Sequence, residues 1–473
     1  PQVFNDRGFS SGMDETRRID EPKIWKQGTL TYTTFGLIAL FFWLLWGDFT
    51  WAMKDRAVGP SATLLIKQIG VSDFLYALIV IAFPNFTNII LGPVISYLSD
   101  RHRGPHGRRI PFLAFTTPFI VLGLYGLGLT PWLGGKLHEL FPALSLHGGR
   151  LVVFCVSWVL LDFGTTLAGA LFNALVNDVV PRELLGRFYG LFRMISLGAG
   201  VLFNFFLLKE VELYVMPIFI GIGTLYGIGL LCLCLKVKEG SYPPPETEEG
   251  EVSQSKSSQA IKVWRAALTY LRQSFSLGYY RKIMLAQTLL ILVFGPVNGF
   301  SIIYAGKLGI GMDKYGLYIA VTYACSFALS YFLGMLADRY NPLRTGGVCL
   351  SLYAALMISS WFLLCNPATF GPILILHGVV SGSCMTLTAS LQQRLFPREL
   401  FAQFASATGI IASVANMLLI PVIGKLLDLL NNNYRCLFPI GALLALSGVA
   451  VLWSLSRDYA RYGGDEAYQA PKI

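Results

Sequence analysis

Apolar stretches long enough to form membrane-crossing helices recur along the whole chain, and this recurrence excludes most ways in which 473 residues can fold. A helix crossing the hydrocarbon core of a bilayer needs roughly 20 predominantly apolar residues. Inside that core no water satisfies stray N–H and C=O groups, so the backbone must bond to itself, as a helix does. The runs predict spans near 30–53, 73–98, 110–131, 150–178, 187–209, 213–236, 281–305, 313–336, 343–365, 371–393, 401–424 and 434–456. The expected fold class is therefore an all-α polytopic membrane protein, with 12 transmembrane helices arranged as two six-helix bundles. Composition agrees: 54% of residues are hydrophobic and 14% charged, too little charge to cover a water-soluble protein of this length.

The net charge of +10 raises the question of a nucleic-acid partner, and its distribution answers it. With these spans, 26 Lys and Arg fall on the side of the N-terminus, 10 on the other, and Arg193 within a span. That asymmetry is the positive-inside pattern, which places both termini in the cytoplasm and predicts no nucleic-acid binding. Trp25, Trp43, Trp46, Trp51, Trp132 and Trp361 lie at or towards span ends, as interfacial anchors do. The eight cysteines have no zinc-site spacing, and no metal site or cofactor is expected. The opening segment is polar and mixed in charge, so no cleavable signal peptide is expected.

One long polar interruption divides the chain. Ser241 to Ser258 is rich in Pro, Glu, Ser and Lys and reads as a linker. Ile261, Trp264, Ala267, Leu268 and Leu271 follow at helical spacing with Lys262, Arg265 and Arg272 between them, which predicts an amphipathic surface helix. The expected organisation is a cytoplasmic segment 1–29, a bundle 30–236, a linker 237–280, a second bundle 281–456 and a cytoplasmic tail 457–473. The halves share punctuation. Asp100-Arg101 after span two matches Asp338-Arg339 after span eight, and Pro181-Arg182-Glu183-Leu184 after span four matches Pro397-Arg398-Glu399-Leu400 after span ten. An internal duplication accounts for both.

The loop after span two carries Asp100, Arg101, Gly107, Arg108 and Arg109. A carboxylate and guanidiniums in a glycine-permitted turn can form bidentate ion pairs between neighbouring helices, stable in one conformation and broken in another. With Asp338 and Arg339 repeating the pattern, these residues are expected to form a cytoplasmic gate; positive-inside anchoring is the plainer alternative.

Ser99 to Phe112 reads S-D-R-x5-G-R-R-x-P-F. This resembles the signature loop of the major facilitator superfamily, and within it the glycoside–pentoside–hexuronide symporters and plant-type sucrose transporters. A Gly stands four residues before the Asp in the usual motif; Gly334 supplies it in the second half, whereas Ser96 occupies that place in the first.

Span four supports the same resemblance. Asp162 lies near mid-membrane, where an ionisable group is costly unless it faces a cavity, finds a partner or binds a proton. At 100° per residue Thr166, Gly169, Asn173 and Asn177 share its face, a polar stripe suited to water or a polar ligand. Asp178, at the cytoplasmic end, is placed to pair with Arg101, Arg108 or Arg109. The D-x15-D pair is similar to that of sucrose transporters, and the resemblance implies that Asp162 takes the coupling proton. A carboxyl taken out of water favours its neutral form, which suits that role. The alternative is a structural carboxylate held by a neighbour such as Arg193. The plant-type family has an Arg eleven residues after that Asp, and this chain has Asn173 there, which supplies no charge.

Further candidates for substrate contact are Trp158, Gln287, Asn298 beside a break expected at Pro296, Tyr304 and Tyr323. Asp48 is placed either in a cavity or at the outer interface with Lys54 and Arg56. Arg193, also a candidate for substrate contact, is either the partner of a buried Asp or a group reaching back to the cytoplasmic surface. His377 is either a proton or sugar ligand or a packing residue. Asn85-Phe86-Thr87 matches a glycosylation pattern but lies within a span.

No P-loop, HExxH or GxSxG motif is present, so neither ATP-driven nor hydrolytic chemistry is expected. The resemblance implies cation-coupled uptake of a sugar, with protons favoured and sodium left open. Partners are a small-molecule solute and the lipid bilayer; a monomer in a bacterial inner membrane is expected. Three other readings stand: a carrier of a nucleoside, organic acid or drug; an uncoupled facilitator; and a non-transporting assembly factor or sensor.

Overall fold

The computed structural model describes residues 24–241, 277–364, 366–397 and 401–471, and the amphipathic segment expected at 261–272 lies outside them. A short hairpin, β1 (Trp25–Gln27) and β2 (Leu30–Tyr32), precedes the first helix. Twelve long helices follow in two sets of six. In the first set α1 is Thr34–Gln68, α2 covers 73–101, α3 is Ile110–Gly128, α4 is Leu146–Val179, α5 covers 185–210 and α6 is Val215–Lys236. In the second α7 is Gly278–Lys307, α8 is Met312–Arg339, α9 is Pro342–Leu363, α10 is Pro367–Leu395, α11 is Phe401–Leu429 and α12 is Leu437–Arg461. Eleven of these are long and apolar enough to cross a membrane; α8, 28 residues long, stands at the remaining position. A further helix, Thr130–Leu140, packs on α4 outside the twelve.

Large apolar side chains face outwards around the molecule, Leu235 at 72% exposure, Leu443 at 68% and Val348 at 63% among them. Only a hydrocarbon environment makes such a surface economical. Helix starts are capped locally: Thr33, Ser145, Asn341 and Asn366 accept from backbone N–H groups that the first turns leave free.

Two departures from the expected spans position the site. First, α1 does not stop near residue 53 but continues to Gln68, giving 35 residues. At 1.5 Å per residue that is about 52 Å, well beyond the ~30 Å hydrocarbon core. Asp48, Lys54, Asp55 and Arg56 consequently lie near its middle rather than at the outer interface. Ending the helix among them would strand backbone groups inside the bundle, which costs more than retaining charges that find partners. Second, α2, α5 and α7 are irregular. Ala77–Ala82 and Phe203–Leu207 are π-helical turns, and α7 breaks between Leu292 and Gly295 ahead of Pro296. All three contribute to the surface between the two sets, where shifted helix faces and freed carbonyls are useful.

With twelve helices, the described chain ends share one face, here the terminal face; the other is the distal face. The two sets meet through α2 against α11 and α5 against α8. Their distal ends are fastened. The Asp428 carboxylate of α11 accepts from Asp73 N at 2.9 Å and Phe74 N at 3.0 Å, capping α2 from the opposite set. Tyr434 donates to Asp73 Oδ2 at 2.7 Å, and Tyr76 donates to Gly299 O at 2.8 Å. Gly424 permits this approach, since a Cβ there would stand 2.6 Å from the carbonyl oxygen of Asp73.

Candidate functional site

Burial selects a charged group in the first set that the sequence only half reveals. Lys54 and Asp48 are each 1% exposed, and Asp162 is also buried. Lys54 Nζ lies 2.7 Å from Asp55 Oδ1 and 3.4 Å from Thr165 Oγ1, and 4.1 Å from the centre of the Trp51 ring. Trp51 Nε1 donates to the other Asp55 oxygen at 2.9 Å. Asp162 accepts from the Thr87 hydroxyl of α2 and lies within coulombic range of Lys54. Asp48 lies within coulombic range of Asp55, and its Oδ2 has no hydrogen-bond partner among the described residues. Asp55 itself is half-exposed, so the buried-charge argument applies to Lys54 and Asp162: losing the ammonium would leave a buried carboxylate with less positive charge near it.

Asp55 also faces a polar cavity of about 430 Å³ between the two sets. Arg56, Arg193 and Asn204 line it from the first set; Asn298, Ser301, Tyr315, Thr322, Tyr323, Ser326, His377 and Ser381 line it from the second. Both guanidiniums cross the gap. Arg56 donates to the Tyr323 hydroxyl at 2.8 Å and to Ser196 Oγ at 3.1 Å, and Arg193 donates to Thr386 Oγ1 at 2.9 Å. His377 is held on both ring nitrogens, by the Tyr353 hydroxyl at 2.9 Å and Asn298 Oδ1 at 3.0 Å. A distal compartment of about 390 Å³ shares Pro60, Asn298 and Tyr315 with the cavity and adds Trp158, Tyr76 and Asn416.

The geometry sorts the residues expected from sequence. Asn298, Tyr323, His377 and Arg193 come together on the cavity wall, and Trp158 lies in the distal compartment, its indole N–H without a hydrogen-bond partner among the described residues. Arg193, one of the expected solute contacts, hydrogen-bonds Thr386 of the second set rather than pairing with Asp162. Asp162 itself is not a wall residue, since its helix turns it towards α2 and Thr87. Asn173 and Asn177 are exposed outside that wall; the Asn173 amide donates to Gly169 O and that of Asn177 to Asn173 O, while Asn177 Oδ1 accepts from the Tyr189 hydroxyl of α5. Thr166 and Gln287 are half-buried and also absent from that wall, α7 presenting Asn298 instead. Lys54, Asp55, Arg56, Thr87 and Thr165 were not read as site residues. The available signal was the run Asp48 to Arg56, flanked on both sides by residues that continue a helix.

At the terminal face the loop before α3 is organised around two carboxylates. Arg108 pairs with Asp178 of α4 at 2.5 and 2.9 Å, and Arg109 Nε reaches the same carboxylate at 3.4 Å and the Ser99 hydroxyl through Nη1. These pairs lie within the first set. Glu239, just past α6, accepts from the backbone N–H groups of Arg108, Arg109 and Ile110 at 2.6–2.8 Å, capping α3. Gly107 is at φ +94°, and a Cβ there would meet Glu239 at 2.6 Å. The second set has a counterpart: Asp465, just past α12, accepts from the Asn341 amide and pairs with Arg344 at 3.4 Å, at the start of α9. In each set an acidic residue after the sixth helix thus holds the start of the third. The side chains of Asp100, Arg101 and Asp338 lie outside the described residues, as do residues 398–400; Arg339 is exposed, 5.7 Å from the Tyr340 ring.

Comparison with known proteins agrees with this architecture. A family model described as Major Facilitator Superfamily matches residues 31–419. The sucrose transport protein SUT2 of Oryza sativa subsp. indica is 24% identical over 139 residues, which are 29% of this chain and 27% of the rice protein. The inward-open xylose transporter XylE from E. coli superposes with a TM-score of 0.61 at 16% identity, covering 89% of this chain and 95% of the other. A POT family transporter in complex with 5-aminolevulinic acid gives 0.66 at 14% identity, covering 90% and 97%. A bacterial homologue of the human lysosomal transporter Spinster gives 0.63 at 13%, again covering 90% and 97%. Likeness at this level of identity shows the shared fold. With the family model matched along most of its length, the chain belongs to the major facilitator superfamily and is an integral membrane protein.

Proposed function

We propose that the protein couples entry of a proton to entry of a sugar or glycoside by alternating access. The observation that carries this reading is a polar path through the first set: Asp162 and Thr165 on α4, Thr165 accepting from Lys54, Lys54 on Asp55, and Asp55 on the wall of the cavity. A buried carboxyl joined to a solute cavity in this way lets a proton and a solute bias one conformational equilibrium, which is the thermodynamic content of coupling. Neutral hydroxyl, amide and imidazole groups dominate the second wall, and they match the donors and acceptors of a sugar.

On this reading the terminal face is cytoplasmic, following the basic excess. The fastened distal face then makes the present state inward-facing. Protonation of Asp162 from outside, closure over the solute and release of both ligands inwards complete one cycle. Arg108, Arg109 and Asp178, together with Asp100, Arg101, Asp338 and Arg339, are assigned to the cytoplasmic gate. The cell envelope location is assigned as a bacterial inner membrane.

A second reading has a specific observation behind it. Arg56 and Arg193 lie on the wall with hydroxyl partners and, among the described residues, no ion pair of their own. Two such guanidiniums suit a carboxylate-bearing solute. Uptake of radiolabelled glucose, sucrose, glucuronate and a dicarboxylate into proteoliposomes under an imposed pH gradient separates the two. Accumulation of a neutral sugar supports the first reading, accumulation of acids alone supports the second, and accumulation of none across a broad panel removes both.

A further inference from the structure

The Lys54 ammonium stands among oxygen ligands. Asp55 Oδ1 lies at 2.7 Å, Thr165 Oγ1 at 3.4 Å, and the Asp162 carboxylate within coulombic range, while the Trp51 and Tyr226 rings approach at 4.1 and 5.8 Å. Carboxylate and hydroxyl oxygens converging near mid-membrane, beside a solute cavity, are the donor set that a small monovalent cation would use. Here a tethered cation fills the position. The side chain is 1% exposed and reaches the position from the same helix that carries Asp55. Asp162 is buried and Asp55 is half-exposed towards the cavity, so the ammonium offsets the desolvation cost chiefly of the buried carboxylate when it is ionised.

We propose that the Lys54 ammonium permanently occupies this cation position, so that sodium cannot act as the coupling ion and the carboxylates exchange only protons. The proposal deepens the symport reading above and rests on it for the word coupling. The geometry also distinguishes Lys54 from Arg56 and Arg193, which reach across the gap to the second set. Lys54 makes its ion pair, hydrogen bond and ring contacts within the first set, and none with a described residue of the second. It acts as a fixed counter-charge to Asp55 and Asp162, not as a solute ligand.

The test uses detergent-purified full-length protein and ²²Na⁺ as the probe. Wild type is expected to show no saturable ²²Na⁺ binding, whereas Lys54→Gln is expected to bind it saturably. Removing a unit charge ~4 Å away predicts a gain on the order of a hundredfold after allowance for hydration. Adding Asp55→Asn to Lys54→Gln should abolish the gained binding. Saturable ²²Na⁺ binding by wild type overturns the proposal, as does a monodisperse Lys54→Gln protein that binds none. Should Lys54→Gln fail to fold, wild-type solute uptake in sodium against choline decides: indifference supports the proposal, and stimulation by sodium overturns it. Solute-driven proton uptake by wild type reports separately on the symport reading, whose failure would leave the ²²Na⁺ result interpretable.

Discussion

Replacing Gly424 by alanine should loosen the distal face, and the size of the effect follows from its surroundings. The added Cβ would sit 2.6 Å from Asp73 O, 2.9 Å from Asp73 C and 3.1 Å from Phe74 Cα, all backbone atoms that no rotamer change can remove. The α11 end must back away from α2, and the Asp428 carboxylate then loses its bonds to Asp73 N and Phe74 N at 2.9 and 3.0 Å. Hydrogen bonds to a charged acceptor contribute about 1.5–3 kcal/mol each. Water admitted by the opening restores roughly half of that, leaving about 1.5–3 kcal/mol in favour of separation, a shift of roughly 10- to 150-fold in the equilibrium. Spin labels at Leu213 and Leu430, on a background cleared of native cysteines, report the distal separation by double electron–electron resonance. Gly424→Ala should move the distribution to longer distance. Gly409→Ala, on the same helix with nothing within 4 Å of its Cβ, should not. Identical distributions for wild type and both variants would refute the reasoning that this close approach holds the face shut.

Three other outcomes follow from the same structure. Glu239→Gln weakens three hydrogen bonds at the start of α3 and should lower detergent-phase thermal stability by about 1–2 kcal/mol; Gly107→Ala should cost more, since it adds left-handed strain to a clash with Glu239. An unchanged melting temperature in both would remove the cap from the account. His377→Phe leaves Asn298 and Tyr353 without their imidazole partner and should weaken solute binding roughly tenfold, two lost bonds' worth, with the fold retained; unaltered affinity in a binding titration would place His377 among packing residues. Arg193→Gln should change neutral-sugar affinity by less than about threefold but cost an acidic solute roughly tenfold or more, the difference between neutral and charge-assisted bonds; equal losses would remove the distinction.

The fold was readable because hydropathy and matched punctuation are local signals that accumulate along the chain. Twelve helices stand where apolar runs predicted them, with one large error, at the end of α1. There the charges Lys54, Asp55 and Arg56 look like an interface to any window that averages hydropathy. What keeps them inside is pairing with Trp51, Thr165, Ser196 and Tyr323, four partners that include residues more than a hundred positions away. The α4 stripe is a related case. Helical periodicity correctly groups Asp162, Asn173 and Asn177 on one face but does not say that the amides would bond along their own helix. Glu239 carried no signal at all, because a lone acid at the start of a polar linker becomes a helix cap only once α3 is folded against it. Tyr323 and Asn298 were accessible from sequence as polar groups in apolar spans; their convergence with Arg56 required the two sets to meet.

The claim that a proton enters with the solute through Asp162 is tested most directly by measuring solute-dependent proton uptake into weakly buffered proteoliposomes, for wild type and Asp162→Asn, beside solute counterflow in both. The account predicts that an accepted solute alkalinises the outer medium only with wild type, while Asp162→Asn retains counterflow and loses both proton movement and accumulation. Solute accumulation by Asp162→Asn at the wild-type level, with proton uptake intact, would contradict it.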